Sequence, residues 1–499
     1  MLTYLFGRDQ GIYACVADVI RAGGLPYRDA WDMKPPGIFY LYWASFAAFG
    51  RSMLAPRLLD FLWTLAAAGA LAGLGKRLQS TWAGVAGGLC FLLLYALGSS
   101  YWNTAQCEGF TSLPLAAAGL VLLAAERRRS FRLTLVCGAL VGLAITIKFT
   151  VAGFLLLPCL ALLTSEGEKA RPRLVRAAGY VVGCLAVLAL VAARFWWAGA
   201  LGDMAHILFV WDPRYGELKV PFPGADSAVQ QTLTFLLGGN YLILKVIGLL
   251  ALVGAADQVL RKGSGQQRWL APAWAAVMLA SVWVQGKYIT YHWLPVMLPM
   301  GLLAAQGLRA ARHLLGRVAP ARVAWGLSAI GLLALSGVAA SGYWAHFQMP
   351  IKYATGRASQ AAFMAGFDDR RGDFSLPADL AVARFLSPRT EPGEPLFIWG
   401  FEPVVYFLAD RPCPSRFIYQ VPLVTEWSPS GWREELMRDL EESQPRYFLV
   451  VHNDLLPWVT GQYDDSAGQL SSFPALHGWL REHYERRGRI EDFDIWERR

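Results

Sequence analysis

Apolar residues run along this chain in long blocks, separated by short charged stretches. Blocks at 58–75, 82–98, 110–125, 133–147, 150–164, 175–196, 237–260, 269–284, 291–308 and 323–343 are long enough to cross a hydrocarbon core or nearly so. They predict about ten transmembrane helices. Two shorter patterns come first. In "QGIYACVADVIRA" (10–22), Ile12, Cys15, Val16, Val19 and Ile20 share one helical face, and the glycines at 23–24 stop the helix. The run 37–50 is too short to span comfortably, and counting it as a span would invert every later loop. Both segments are predicted as interfacial helices. From about 377 the pattern turns soluble: "PADLAVARFL" and "WREELMRDLEESQ" read as helices, "EPLFIWG" and "RYFLVVHND" as buried strands. The expected organisation is a first outward loop at 1–57, a transmembrane domain at 58–345 and a small α/β domain outside the membrane at 346–499. "MLTYLF" reads as the last turns of a span whose earlier part precedes residue 1.

Composition agrees, with 55% hydrophobic and 17% charged residues. The formal charge of +9 would suit nucleic acid, but its distribution points elsewhere. Lys and Arg gather in alternate loops: "KR" at 76–77, "ERRRSFR" at 126–132, "EKARPRLVR" at 168–176, "RKGSGQQR" at 261–268 and "RAARHLLGRVAPAR" at 309–322. By the positive-inside rule these loops are cytoplasmic. The outward side then holds 1–57, 99–109, 197–236, the turn near Lys148, "QGKYITYH" at 285–292 and the tail. The seven cysteines lack metal-ligand spacing, and a Cys15–Cys107 disulfide is not expected.

That topology collects ionisable groups at the outward face: Asp9, Asp29, Asp32, Lys34, Arg57, Glu108, Lys148, Arg214, Lys287 and His292. Charge at a bilayer is costly, so function is the default reading. Bland readings stand beside it. Lys148 and Lys287 can snorkel, and Arg57 more so; Asp29 and Asp32 can be turn acids or caps; Asp9 can cap its helix; Glu108 can complement a helix dipole; His206 reads as a packed histidine. A carboxylate among cations at a membrane surface suits group transfer from a lipid-borne phosphate, the cations stabilising the departing phosphate and the carboxylate taking the acceptor's proton. P-loop, HExxH and GxSxG signatures are absent.

The run "RDQGIYACVADVIRAGGLPYRDAWDMKPPGIFYLYWASFAAFG" with "APRLL" resembles the first outward loop of GT-C glycosyltransferases, in particular bacterial dolichyl-phosphate-mannose-protein mannosyltransferase-like proteins and, more distantly, the lipid A aminoarabinose transferase. "NTAQCEGF", "GLAITIKFT" and "QGKYITYHWLPVMLP" add to it. The resemblance implies a polytopic helical membrane protein of GT-C type. Its activity would be inverting transfer of a sugar from a polyprenyl-phosphate donor to a lipid, polysaccharide or protein acceptor on the outer side of the cytoplasmic membrane. It implies Asp9 and Glu108 as catalytic carboxylates, with Lys34, Lys148, Lys287 and His292 serving donor phosphate or sugar; Arg57 and Arg214 join the donor phosphate or sugar candidates by their expected outward position alone. No cofactor is required by it. Metal use stays open, with Asp32 and His206 as weak candidate ligands, because Met33 stands where the aminoarabinose transferase has an acid. A lipid-linked sugar transporter and a non-catalytic saccharide-binding protein are the competing readings. Transporters place polar sites near the midplane, whereas these residues gather at one surface.

Overall fold

A computed structural model describes residues 2–98, 100–163, 169–218, 227–238, 241–260, 266–318, 320–369 and 374–499. Outside them fall 261–265 of the basic loop 261–268, residue 168 of the loop 168–176, and 219–226 of the outward segment 197–236. The protein is mostly helical. Among the described residues, six helices are long and apolar enough to cross a membrane: Leu54–Leu78, Thr81–Gly98, Cys107–Arg128, Ala170–Trp197, Leu242–Leu260 and Thr290–Arg317. Shorter apolar helices occupy Phe131–Ile147, Phe149–Leu163 and Trp269–Gln285, and a long helix runs over Ala321–Ala354.

The chain divides into two compact units. The first, the membrane unit, comprises Arg57–Ala193 and Pro223–Ile351. Its helices approach closely where glycine removes a side chain. A Cβ on Gly254 would fall on the Leu303 carbonyl oxygen, and one on Gly307 on that of Leu250, so Leu242–Leu260 and Thr290–Arg317 touch backbone to backbone.

The second unit joins Thr3–Pro56, Arg194–Phe222 and Lys352–Arg499. Helix α1 (Arg8–Arg21) is capped at Gly7, whose N–H donates to Gln10 Oε1 at 3.0 Å, so Asp9 lies inside the first turn and is not the cap. Residues 10–17 of α1 are buried. Helix α2 (Gly37–Phe49) starts behind Pro36 and exposes Trp43 and Phe49. The tail builds a four-stranded sheet from β1 (Leu396–Trp399), β2 (Tyr447–Val451), β3 (Tyr484–Ile490) and β4 (Phe493–Arg498), in the order β1-β2-β4-β3. β1 and β2 are parallel, pairing Leu396 with Tyr447, and both are buried on every residue, as their uninterrupted apolar runs require. The other pairings are antiparallel. All seven cysteines are free.

Gly254→Val is expected to destabilise the protein by about 1–3 kcal/mol through overpacking. Gly202→Ala, where an added Cβ meets nothing within 4 Å, should leave thermal unfolding in detergent unchanged.

Candidate active site

The second unit folds the loop "RDAWDMKPP" around Trp31. This fully buried ring stands edge-on to Trp211 at 4.7 Å, to Tyr419 at 5.5 Å and to Trp432 at 6.0 Å, while its backbone N–H donates to the Arg416 carbonyl at 2.7 Å. Tail residues thereby shape a loop too polar and proline-rich to fold alone.

Asp32 is buried beside it. One carboxylate oxygen accepts the Lys34 N–H at 2.7 Å, an Asx-type turn, and the other accepts the Tyr419 hydroxyl at 2.8 Å. Burial raises its pKa to about 6, and the nearby Asp9 charge adds to the rise against the lowering by Lys34 and Tyr419. Tyr27 donates its hydroxyl to the Lys34 carbonyl at 2.8 Å, so the lysine backbone is held from both sides and its half-buried side chain starts from a fixed point. Burial also pushes the Tyr419 hydroxyl well up and that of Tyr215 to about 12, both of which sense Asp9. Asp9, Asp32, Lys34, Tyr215 and Tyr419 thus form one electrostatic cluster within this unit.

The membrane unit carries a second centre. Glu108, in the first turn of Cys107–Arg128, is buried and pairs with Lys148 Nζ at 2.7 Å. His292 Nε2 stands 3.9 Å from the same oxygen. Lys148 caps the helix Phe131–Ile147, and His292 sits on a 3-10 turn at Thr290–Trp293. Lys287 is buried nearby in sequence, and desolvation lowers its pKa. A cavity of about 260 Å³ is lined by Leu94, Leu97, Phe235, Tyr288, Trp293 and Met297. Within this unit, Asp60 and Tyr95 share a 2.7 Å hydrogen bond, and both lie against Gly109, next to Glu108.

Other expected site residues serve different neighbours. Arg57 is fully buried and donates to the Tyr101 carbonyl at 3.0 Å and the Thr104 carbonyl at 2.6 Å, with a further contact to the Thr104 hydroxyl, so its fork holds the loop 100–105. Arg214 is exposed on the short helix Asp212–Glu217. His206 packs edge-on against Trp432 at 5.7 Å. Among the described residues no three His, Cys, Asp or Glu side chains are grouped to hold a metal, and the candidate Asp32 already accepts two hydrogen bonds. Tyr215, Tyr419 and Asp60 are additions to the expected set. A carboxylate inside an apolar block marked Asp60 in the sequence; nothing local marked the tyrosines.

Residues 33–197 match the family described as dolichyl-phosphate-mannose-protein mannosyltransferase. The structure of ArnT from Cupriavidus metallidurans bound to undecaprenyl phosphate superposes with a TM-score of 0.62 at 14% identity, covering 99% of this chain and 94% of that one. The chain shares the fold of that ArnT structure. The apo state of the same ArnT gives 0.62 at 16% identity, covering 99% and 94%. An Archaeoglobus fulgidus oligosaccharyltransferase tethered with an acceptor peptide containing the NVT sequon gives 0.50 at 13% identity, covering 97% of this chain and 69% of that one. No curated protein sequence matches the chain. With its long apolar helices and this ArnT-like fold, the protein is a multi-pass membrane protein.

Two outcomes follow from the geometry. Lys148→Met should cost about 3–5 kcal/mol, because it strands the buried Glu108 charge, and adding Glu108→Gln should recover most of that loss in detergent thermal unfolding. For Asp32, the folded pKa of about 6 lies above the ordinary 3.8, so the folded state binds the extra proton and stability falls as pH rises from about 4 to about 6. The stability of wild type relative to Asp32→Asn should therefore drop by up to about 3 kcal/mol across that window, measured by unfolding at each pH.

Proposed function

We propose that the protein is a glycosyltransferase that moves a sugar from a polyprenyl-phosphate donor to an acceptor hydroxyl or amine, with inversion, on the outer side of the cytoplasmic membrane. The observation that carries this reading is the carboxylate and lysine cluster of Asp9, Asp32 and Lys34, set in the first loop of a GT-C fold. A solved neighbour with that fold binds undecaprenyl phosphate, which supports the same carrier class for the donor here. The positive-inside pattern supports the outward face.

In the proposed transfer, the acceptor heteroatom bonds to the anomeric carbon as the bond from that carbon to the phosphate oxygen breaks. Asp9 takes the acceptor's proton. Lys34 offsets the charge that grows on the leaving phosphate, and Asp32 with Tyr27 holds the lysine backbone for that task. In the membrane unit, Glu108 is assigned as the second carboxylate, kept beside Lys148 and His292, with Lys287 available to phosphate or sugar. The cavity beside Tyr288 and Trp293 suits an isoprenoid chain. Arg57 is assigned to the loop 100–105 and Arg214 to no step.

Transfer of radiolabelled sugar from a panel of polyprenyl-phosphate donors tests this. Asp9→Asn should lower transfer about 100- to 10,000-fold with unfolding unchanged, and Lys34→Ala should also lower it. A well-folded wild type that transfers from no donor would instead favour a lipid-linked sugar transporter or a saccharide-binding protein.

A further inference from the structure

We infer that the segment Phe401–Val404 of the C-terminal domain is the seat that positions Asp9, with Glu402 and Arg8 as its principal clamp. The inference rests on Asp9 being the base of the proposed transfer.

Three residues of α1 at helical spacing, Arg8, Gly11 and Cys15, land on four consecutive residues of the tail. Arg8 Nε donates to the Phe401 carbonyl at 2.6 Å, and its Nη2 pairs with Glu402 Oε1 at 2.6 Å. Both side chains are about nineteen-twentieths buried, with exposures of 6% and 4%. Gly11 lies so near Val404 that an added Cβ would stand 2.7 Å from the valine Cβ and 2.9 Å from its Cα. Cys15 donates its thiol to the Pro403 carbonyl at 3.0 Å. Positions i, i+3 and i+7 share one helix face, so the whole first half of α1 is seated by this contact.

The seat is itself fixed. The Phe401 N–H donates to Asp454 at 3.0 Å, and Asp454 also accepts from the Ser466 N–H at 2.8 Å and the Ser466 hydroxyl at 2.6 Å. Arg8 additionally lies over the rings of Phe401 at 5.1 Å and Phe374 at 5.5 Å. Asp379, buried in the same cluster, is pushed well above the ordinary carboxylate range by burial and by the Glu402 charge, leaving Glu402 as the anion that answers Arg8.

Asp9 follows Arg8 directly and is turned about 100° from it around the helix, away from the seat. An ion pair placed one residue from a catalytic carboxylate controls that carboxylate's position without touching substrate. The tail domain would then act in the chemical step as a positioning element.

The test uses the full-length protein in detergent or membranes. Glu402→Gln and Arg8→Lys remove the charge or the fork, Gly11→Ala pushes α1 off Val404, and Asp379→Asn is the control that keeps a neutral side chain. The first three should lower kcat about a hundredfold, as ångström-scale misplacement does, with KM for the donor unchanged. They should also speed hydrogen exchange of the amides of residues 10–13 at least about tenfold, leaving β2 and β4 protected as in wild type. Asp379→Asn should change neither. Unchanged exchange in the first three variants, or an active wild type whose kcat survives them, overturns the inference. Faster exchange in a protein that transfers from no donor keeps the seat and removes the catalytic role of Asp9, so the two failures are told apart.

Discussion

A buried carboxylate cannot be left without compensation, and Glu108, Asp32, Glu126 and Asp60 each have a partner, mostly from a distant part of the chain. Taking a charge out of water costs several kcal/mol, which only a nearby cation or a set of hydrogen bonds offsets. Glu108 has Lys148, forty residues on. Asp32 has the Lys34 amide and the Tyr419 hydroxyl. Glu126 has Arg176 at 2.9 Å and the Tyr180 hydroxyl at 2.8 Å, and Asp60 has Tyr95. These pairings hold the spans and loops at defined positions, because the low local dielectric penalises any arrangement in which one partner wanders.

The same constraint explains the composition of the second unit. The first loop carries four charged residues and two prolines between Arg28 and Pro36, and cannot build a core. It folds by lending Trp31 to a nest of aromatics formed by Trp211, Tyr419 and Trp432. Arg416 of the tail closes the arrangement, pairing with Asp203 at 3.0 Å and Glu435 at 2.7 Å while its carbonyl receives the Trp31 amide. The tail and the first loop are therefore one folding unit, although more than three hundred residues separate them.

Much of the fold was legible along the chain. Membrane spans announce themselves by length and apolarity, since backbone groups in lipid must be paired within the segment. The strands at Leu396–Trp399 and Tyr447–Val451 announced themselves by uninterrupted apolar runs rich in β-branched and aromatic residues. The rare ionisable residues near the bilayer were visible for the same reason: their cost makes them stand out. Lys34, Glu108 and Lys148 could be named from position alone, whereas what each touches could not.

The sequence by itself determined the class of protein, a helical membrane chain with a small sheet-bearing C-terminal domain, because this follows from local hydropathy and charge. Only the tertiary structure decided the partners. It turned Arg57 toward the loop 100–105, brought Tyr419 to Asp32 and set Arg8 on Glu402. Those contacts join residues 44 to 394 positions apart, and no periodicity reports them; they exist because burying one charged group obliges the fold to supply another, wherever in the chain it lies.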